Sequence, residues 1–122
     1  MNYRHSYHAG NFADVFKHVQ LTLLLQALCS KESPFCYLDT HAGTGRYDLH
    51  GVTAQKTGEY LQGVMRFWYP AGHQRDDVVA DAPALADYLA AVRALNHDGE
   101  LRYYPGSPRI VRHFLRPQDR MI

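Results

Sequence analysis

The sequence predicts an α/β fold, because helical apolar spacing, a short apolar strand and a glycine-containing turn follow one another along the chain. The strand is the apolar run Phe35–Leu38, which ends at Asp39. The turn directly after it holds Gly43 and Gly45 in the segment HAGTG. A glycine loop at the carboxyl end of a buried strand is where α/β proteins receive nucleotide-like ligands. A loop that only ends the strand is the alternative.

The composition is that of an ordinary globular protein of one domain, with 122 residues of which 46% are hydrophobic and 20% charged. No apolar run is long enough to span a membrane, and residues 1–10 lack the apolar stretch of a signal peptide. We therefore expect a cytoplasmic protein without a membrane partner. Cys29 and Cys36 lack the spacing of zinc ligands, so no metal site is predicted.

The first predicted helix begins after Asn11 and runs to about Cys29. The Asn11 side chain is suited to cap the helix, and Asp14 complements the exposed N–H groups of the first turn. A wide apolar face is expected from residues at helical spacing: Phe12, Val15, Phe16, Val19, Leu23, Leu24, Leu25 and Leu28. The helix must end before Ser33-Pro34, because a residue preceding proline disfavours helical geometry.

The segment from position 50 to 100 reads as mainly helical. One helix is predicted from Glu59 to about Trp68, followed by a polar loop at 71–77. A second helix is predicted near 83–96, with Pro83 in its first turn.

The last part of the chain predicts a short strand and a helix. The strand is Leu101 to Tyr104, and it is marginal. Ser107 is expected to cap the helix, with Pro108 at the first helical position. One side of that helix is expected to be cationic, through Arg109, Arg112, His113 and Arg116.

Two predicted strands are too few for a complete parallel sheet. A sheet built only of these strands leaves unpaired N–H and C=O groups at its edges. The chain therefore reads as part of a larger fold, and we expect that the unpaired edges allow self-association.

The glycine loop excludes some ligands by its spacing. No Gly-Lys-Ser/Thr sequence follows the glycines, so the loop is not a phosphate-binding P-loop. A dinucleotide fingerprint needs a third glycine where this chain has Asp48. The segment from Asp39 to Gly45 suits S-adenosylmethionine better, because small residues let the backbone approach the amino-acid end of the cofactor. A plain turn remains the alternative.

Four segments together resemble the RlmJ family: Tyr3–His18, Tyr37–Leu49, Thr57–Trp68 and Leu101–Ile110. Members of this family are S-adenosylmethionine-dependent methyltransferases that modify adenine at its exocyclic amine in 23S ribosomal RNA, and the family is also described as involved in the use of external DNA. The resemblance implies the N-terminal part of a Rossmann-like methyltransferase fold with a helical insertion. Residues 1–49 and 100–122 would belong to the methyltransferase domain, and residues 50–99 would form the insertion.

The resemblance also implies residue roles. His18, His41 and Ser107 match positions that contact the cofactor, and Tyr3 matches a position that contacts RNA. Near these positions we expect further cofactor-binding residues, Lys17, Asp39, Gly43 and Gly45, and a second RNA-binding residue, Arg4. Each has a structural alternative: a helix or loop histidine, a helix cap, a solvated lysine, a turn residue, or a disordered terminus.

The resemblance implies a catalytic motif that these residues do not contain. Related adenine-amine methyltransferases use Asp-Pro-Pro-Tyr, whose carboxylate and carbonyl accept hydrogen bonds from the amine and whose ring stacks on a flipped-out base. The motif occurs nowhere in the sequence, so no catalytic residue is predicted. We expect an N-terminal fragment that is inactive alone. The alternative is a non-catalytic nucleic-acid-binding protein, which the family's link to external DNA also allows.

Overall fold

A computed structural model describes residues 3–68 and 82–122. Four α-helices and four short strands lie in these ranges: α1 (Phe12–Cys29), β1 (Cys36–Tyr37), β2 (Arg46–Asp48), α2 (Val52–Thr57), α3 (Pro83–Arg93), β3 (Tyr103–Pro105), α4 (Ser107–Phe114) and β4 (Arg120–Met121). Three single turns of 3-10 helix accompany them, at His5–Tyr7, Glu59–Gln62 and Val64–Phe67. The mixed α/β class is therefore confirmed. The loop predicted at 71–77 lies outside the described residues.

The described strands pair in two small sheets. β1 and β4 are parallel, with Cys36 opposite Arg120, whereas β2 and β3 are antiparallel, with Tyr47 opposite Tyr104. The sequence reading missed β2 and β4, since strands of two or three residues have no periodicity of their own.

The strand predicted at Phe35–Leu38 is real but shorter, and it is not covered on both faces as predicted. Cys36 is exposed and 64% of the Leu38 surface is accessible. Within the described ranges, β1 pairs only with β4, and the helices pack around β3 instead.

Helix α1 begins as predicted, because the Asn11 side chain accepts a hydrogen bond of 2.9 Å from the Asp14 N–H. The buried face differs from the predicted apolar face. Asp14, His18 and Thr22 are buried beside the apolar residues of the helix, whereas 75% of the Phe12 surface is accessible. The apolar count of this helix was therefore a poor guide to its orientation.

The helix predicted from Glu59 to Trp68 is instead two 3-10 turns separated by Gly63. Gly63 packs against the backbone before α1, where a Cβ would collide with the Gly10 carbonyl oxygen. The next amide, that of Val64, donates to the same oxygen at 2.8 Å. A contact distant in sequence thus breaks the helix. The helix predicted near 83–96 is present as α3, and proline stands in its first turn as expected.

The last helix, α4, starts one residue earlier than predicted. Its N-cap is Gly106 and Ser107 is its first residue, so the capping role assigned to Ser107 is wrong. Arg116 lies beyond the helix end at Phe114 and is not part of a cationic helix face. It forms a 2.9 Å ion pair with Asp119, and its guanidinium donates to the carbonyl of Lys31 at 2.6 Å.

One hydrophobic cluster joins α1, α3, β3 and α4, and includes Leu25, Tyr88, Tyr104 and Ile110. Residues from 50–99 contribute to the same cluster as residues from the two flanking segments. No helix in the described parts of the chain is long and apolar enough to cross a membrane.

Candidate cofactor and nucleic-acid site

A cleft of about 1300 Å³ lies between the N-terminal segment, α1, the glycine loop and the start of α4. Five residues predicted to bind the cofactor line it: Lys17, His18, His41, Gly43 and Ser107. The residues predicted to bind RNA, Tyr3 and Arg4, line it as well. Asp39 and Gly45 are not among its lining residues. The fold thus brings most of the predicted site together, and the role of each residue stays a prediction.

His18 is the most buried polar residue in the wall of the cleft, with 1% of its surface accessible. Its Nδ1 lies 2.7 Å from the Tyr104 hydroxyl and its Nε2 lies 3.1 Å from the Ser107 hydroxyl. Burial lowers the pKa of His18 to about 4, so the imidazole is neutral near neutral pH. A neutral His18 thus has a hydrogen-bond partner within the protein at each of its two ring nitrogens.

The glycine loop is joined to the start of α4 through backbone atoms. The Gly106 N–H donates to the Gly45 carbonyl oxygen at 2.8 Å. A Cβ at Gly106 would lie only 3.2 Å from the Gly45 Cα, and Gly45 has a φ of +77°. Glycine at these two positions is therefore needed for the chain's own packing. Gly45 thus supports Gly106, which lines the cleft.

Asp39 organises the turn that follows β1. One carboxylate oxygen accepts from the Tyr37 hydroxyl at 2.5 Å, and the other accepts from the His41 N–H at 2.9 Å. These two hydrogen bonds, the one from Tyr37 first, lower the pKa of Asp39, so the carboxylate is ionised. The side chains of Lys17 and His41 are exposed at the cleft, where a ligand can reach them.

Gly43 forms part of the loop wall in a left-handed conformation, with a φ of +67°. A Cβ at this position would lie 2.6 Å from the Tyr47 hydroxyl oxygen. Any larger residue would have to displace that tyrosine as well as strain the backbone. The Tyr47 hydroxyl thus occupies the side of Gly43 on which a side chain would stand.

A hydrogen-bonded triad of residues that also line the cleft holds the N-terminal segment. The Tyr3 hydroxyl lies 2.6 Å from His5 Nδ1, and His5 Nε2 lies 2.7 Å from the Asp14 carboxylate. Because a carboxylate only accepts, His5 Nε2 donates to Asp14, which leaves Nδ1 facing the Tyr3 hydroxyl. Burial of Asp14 opposes ionisation, but hydrogen bonds from His5 and the Gly10 N–H lower its pKa overall.

The Tyr3 ring is exposed yet held in place. It stacks on the His8 ring, with ring centroids 5.4 Å apart and an interplanar angle of 8°. His8 in turn contacts the Glu59 carboxylate at 2.8 Å. An accessible, oriented aromatic ring of this kind can stack on an unpaired base.

Sequence reasoning missed four residues of this region. Asp14 was predicted only to complement the helix terminus, and His5 was not among the predicted site residues. Tyr104 and Tyr88, whose hydroxyls lie 2.9 Å apart behind His18, received no role. Both tyrosines stand among apolar residues that the sequence suggests for the core, and a buried hydroxyl needs a hydrogen-bond partner. This was the signal in the sequence that could have indicated polar contacts at Tyr104 and Tyr88. Within the described ranges, no group of three potential ligands could hold a metal ion.

Comparison with known proteins identifies the family. Residues 32–122 match the family described as "Ribosomal RNA large subunit methyltransferase D, RlmJ". The chain belongs to the RlmJ family. The four sequence segments that resembled this family are therefore a correct indication of RlmJ membership.

Two curated relatives are both called "Ribosomal RNA large subunit methyltransferase J". The chain is 51% identical over 119 residues to the one from Escherichia coli, which covers 98% of the chain and 40% of that protein. It is 47% identical over 123 residues to the one from Haemophilus influenzae, which covers 100% of the chain and 41% of that protein. The chain thus spans about two fifths of the length of these RlmJ relatives.

A solved structure supports the same relationship. The crystal structure of a Legionella pneumophila protein superposes with a TM-score of 0.75 and 39% sequence identity, over 93% of this chain and 38% of that chain. The arrangement of described helices and strands is therefore one that an experimentally determined protein shares.

Proposed function

We propose that this chain carries the part of a methyltransferase that receives the amino-acid end of S-adenosylmethionine, within a Rossmann-like fold. The observation that carries the proposal is the convergence of His18, Ser107 and the glycine loop on one open cleft. When bound, S-adenosylmethionine supplies the methyl group. Residues 1–49 and 100–122 would form the methyltransferase part and residues 50–99 the helical insertion.

The chemistry of the cleft fits the amino-acid end of that cofactor. The Ser107 hydroxyl and the Ser107 N–H, at the first position of α4, are donors suited to a carboxylate. Lys17 adds a positive charge at the same wall. Gly43 lines the cleft with backbone atoms alone, and the His41 imidazole is a further polar partner in the loop. Asp39 and Gly45 would act indirectly, by holding the loop in shape.

The substrate we propose is an adenine of 23S ribosomal RNA, which would place the protein in the cytoplasm. The ring of Tyr3 is oriented to stack on an unpaired base, and Arg4 beside it is exposed at the same cleft. The catalytic Asp-Pro-Pro-Tyr motif is not among the 122 residues. Methyl transfer would therefore need residues that this chain does not supply, and we expect no turnover by the 122-residue chain alone.

Replacement of one hydroxyl tests the cofactor proposal. We expect Ser107→Ala to weaken binding of S-adenosylmethionine in calorimetric titration by about tenfold, because a hydrogen bond to a charged group is lost. Ser30→Ala is the matched control, since Ser30 is exposed and its hydroxyl bonds only locally, to the Ala27 carbonyl. Equal affinity of both variants and the parent chain would refute the role of Ser107. No binding by the parent chain would refute cofactor binding by this chain.

A second candidate function is non-catalytic binding of nucleic acid. It is favoured by the aromatic and basic N-terminal segment, in which Tyr3, His5 and His8 form one ordered cluster. RNA affinity that persists without cofactor and falls steeply with salt would support this candidate. Binding that requires S-adenosylmethionine would contradict it.

A further inference from the structure

Four side chains form a continuous line of hydrogen bonds from the core to the cleft. The Tyr88 hydroxyl lies 2.9 Å from the Tyr104 hydroxyl, which lies 2.7 Å from His18 Nδ1. His18 Nε2 then lies 3.1 Å from the Ser107 hydroxyl, which borders the cleft. Tyr88 and Tyr104 are fully buried, and His18 is almost so. The four residues come from four different elements: α3, β3, α1 and α4.

Proton counting defines the possible directions of this line. A neutral histidine carries one N–H, and each of the three hydroxyls carries one O–H. The line thus has four protons and three hydrogen bonds, so one proton must point away from it. That proton belongs either to Ser107, at the cleft, or to Tyr88, in the core.

Burial decides between the two directions. If the line runs inward, the Tyr88 O–H needs an acceptor outside the line, and within the described ranges Tyr104 is its only hydrogen-bond partner. A buried hydroxyl without an acceptor is costly, whereas the Ser107 O–H faces the open cleft. The outward direction is therefore favoured, in which Tyr88 donates to Tyr104, Tyr104 to His18 Nδ1, and His18 Nε2–H to Ser107.

The protonation states agree with this direction. Burial lowers the pKa of His18 to about 4, which keeps the ring neutral with a single N–H. Burial also raises the pKa of Tyr104 and of Tyr88, so both phenols keep their protons. The His18 carbonyl accepts from the Thr22 hydroxyl at 2.8 Å, which further fixes this turn of α1.

We propose that Tyr104, to which Tyr88 donates, is a positioning residue that holds His18 in its Nε2–H tautomer, so that the Ser107 hydroxyl is left free to donate to a carboxylate in the cleft. This rests on the proposed function, in which the carboxylate is that of S-adenosylmethionine. The site would then favour an anionic group, because the Ser107 O–H can donate a hydrogen bond to it. The His18 lone pair is already used by the Tyr104 hydroxyl, so His18 cannot accept from a cationic group. Helix α3 takes part in this site although it does not border it.

Nitrogen NMR of isotope-labelled histidine tests the direction without any ligand. We expect His18 in the parent chain to show a protonated Nε2 and an unprotonated Nδ1 near neutral pH. The Nδ1–H tautomer would overturn the proposal, because the line would then run inward. This measurement stands whether or not the chain binds S-adenosylmethionine.

Calorimetric titration tests the consequence for binding. We expect Tyr104→Phe to weaken S-adenosylmethionine binding about tenfold and to leave methylthioadenosine, which lacks the amino-acid end, unaffected. Tyr60→Phe is the matched control, because Tyr60 is also buried and its hydroxyl accepts from Gln55 outside the line. Unchanged affinity in Tyr104→Phe, or equal loss for both ligands, would overturn the proposal.

Two results separate this inference from the proposed function. If the parent chain binds neither ligand, cofactor binding fails, and the tautomer of His18 still decides the direction of the line. If Tyr104→Phe does not fold, Tyr88→Phe shortens the line by one hydroxyl, and the buried Tyr104 O–H then has His18 Nδ1 as its remaining partner in the line. We expect this variant to keep the Nε2–H tautomer of His18 in nitrogen NMR, and the Nδ1–H tautomer would overturn the proposal.

Discussion

At the scale of single residues, the buried face of α1 beside the cleft carries several polar side chains. Asp14, His18 and Thr22 are buried on one face of α1, and each has a hydrogen-bond partner of its own. Buried polar groups are tolerated only when they are paired, so this face can pack in only one arrangement. The site therefore depends on the protonation of a few groups, of which His18 is the most shielded from water.

Acidification is expected to destabilise the protein through His18. Its pKa falls from 6.5 to about 4 on folding, so the unfolded chain binds a proton that the folded chain does not between these values. Stability is thus fully present above about pH 6.5 and is lost as the pH falls toward 4, by about 3 kcal/mol in total. Urea unfolding of the parent chain and of His18→Gln across this range measures the difference.

The control for this measurement is His97→Gln, in which an exposed histidine is replaced. His18→Gln should lose the pH dependence that His97→Gln retains. Parallel pH dependence in the parent chain and His18→Gln would show that His18 is not the responsible group.

At the scale of elements, the sequence predicted correctly the features that neighbouring residues determine, such as where a helix begins. Asn11 capping and proline in the first turn of α3 located two helices correctly, because both effects act within one turn. The break at Gly63, the strand β4 and the pairing of β2 with β3 depend on distant parts of the chain, and no pattern in the sequence encodes them. His18 and Ser107, which are 89 positions apart, entered the predicted site only through the family resemblance.

The hydrogen bonds that join the segment after α1 to the segment before β4 give a prediction at this scale. Arg116 donates to the carbonyls of Lys31 and Ser33 after α1 and to the Asp119 carboxylate, which also accepts from the Phe35 N–H at 3.0 Å. We expect Arg116→Ala to lower the thermal unfolding midpoint, because these carbonyls and Asp119 lose a shared donor.

Arg112→Ala is the control for Arg116→Ala, since Arg112 is exposed on α4. The two arginines carry the same charge, so a net-charge effect would change both variants alike. An equal midpoint for Arg116→Ala and Arg112→Ala would contradict a structural role of Arg116.

At the scale of the whole molecule, the described ranges combine a shared core with an uncovered side. Phe12, Phe16, Leu24 and Leu38 all have more than half of their surface accessible, at 75%, 67%, 57% and 64% respectively. The Phe35 and Tyr37 carbonyls accept from Arg120 and Ile122, so the Cys36 N–H and C=O point away from β4. Exposed apolar surface beside an unpaired strand edge favours association with another chain.

We expect the average mass of this chain in sedimentation experiments to rise with concentration. Cys36→Pro should reduce this association, because proline removes the N–H of the free edge. Cys36→Ala, which removes the thiol and keeps the N–H, should associate like the parent chain. A constant monomer mass for the parent chain would rule out self-association through this edge.

The contact between Gly45 and Gly106 has a consequence for ligand selection. Gly106, which lines the cleft, rests on Gly45 through main-chain atoms alone, so this part of the wall has no side chain whose rotamer could change. Its shape is set once the polypeptide has folded, and any selection among small molecules would depend on the side chains that line the rest of the cleft. Substitutions at those side chains could thus change the preferred ligand while the backbone contact between Gly45 and Gly106 stayed the same.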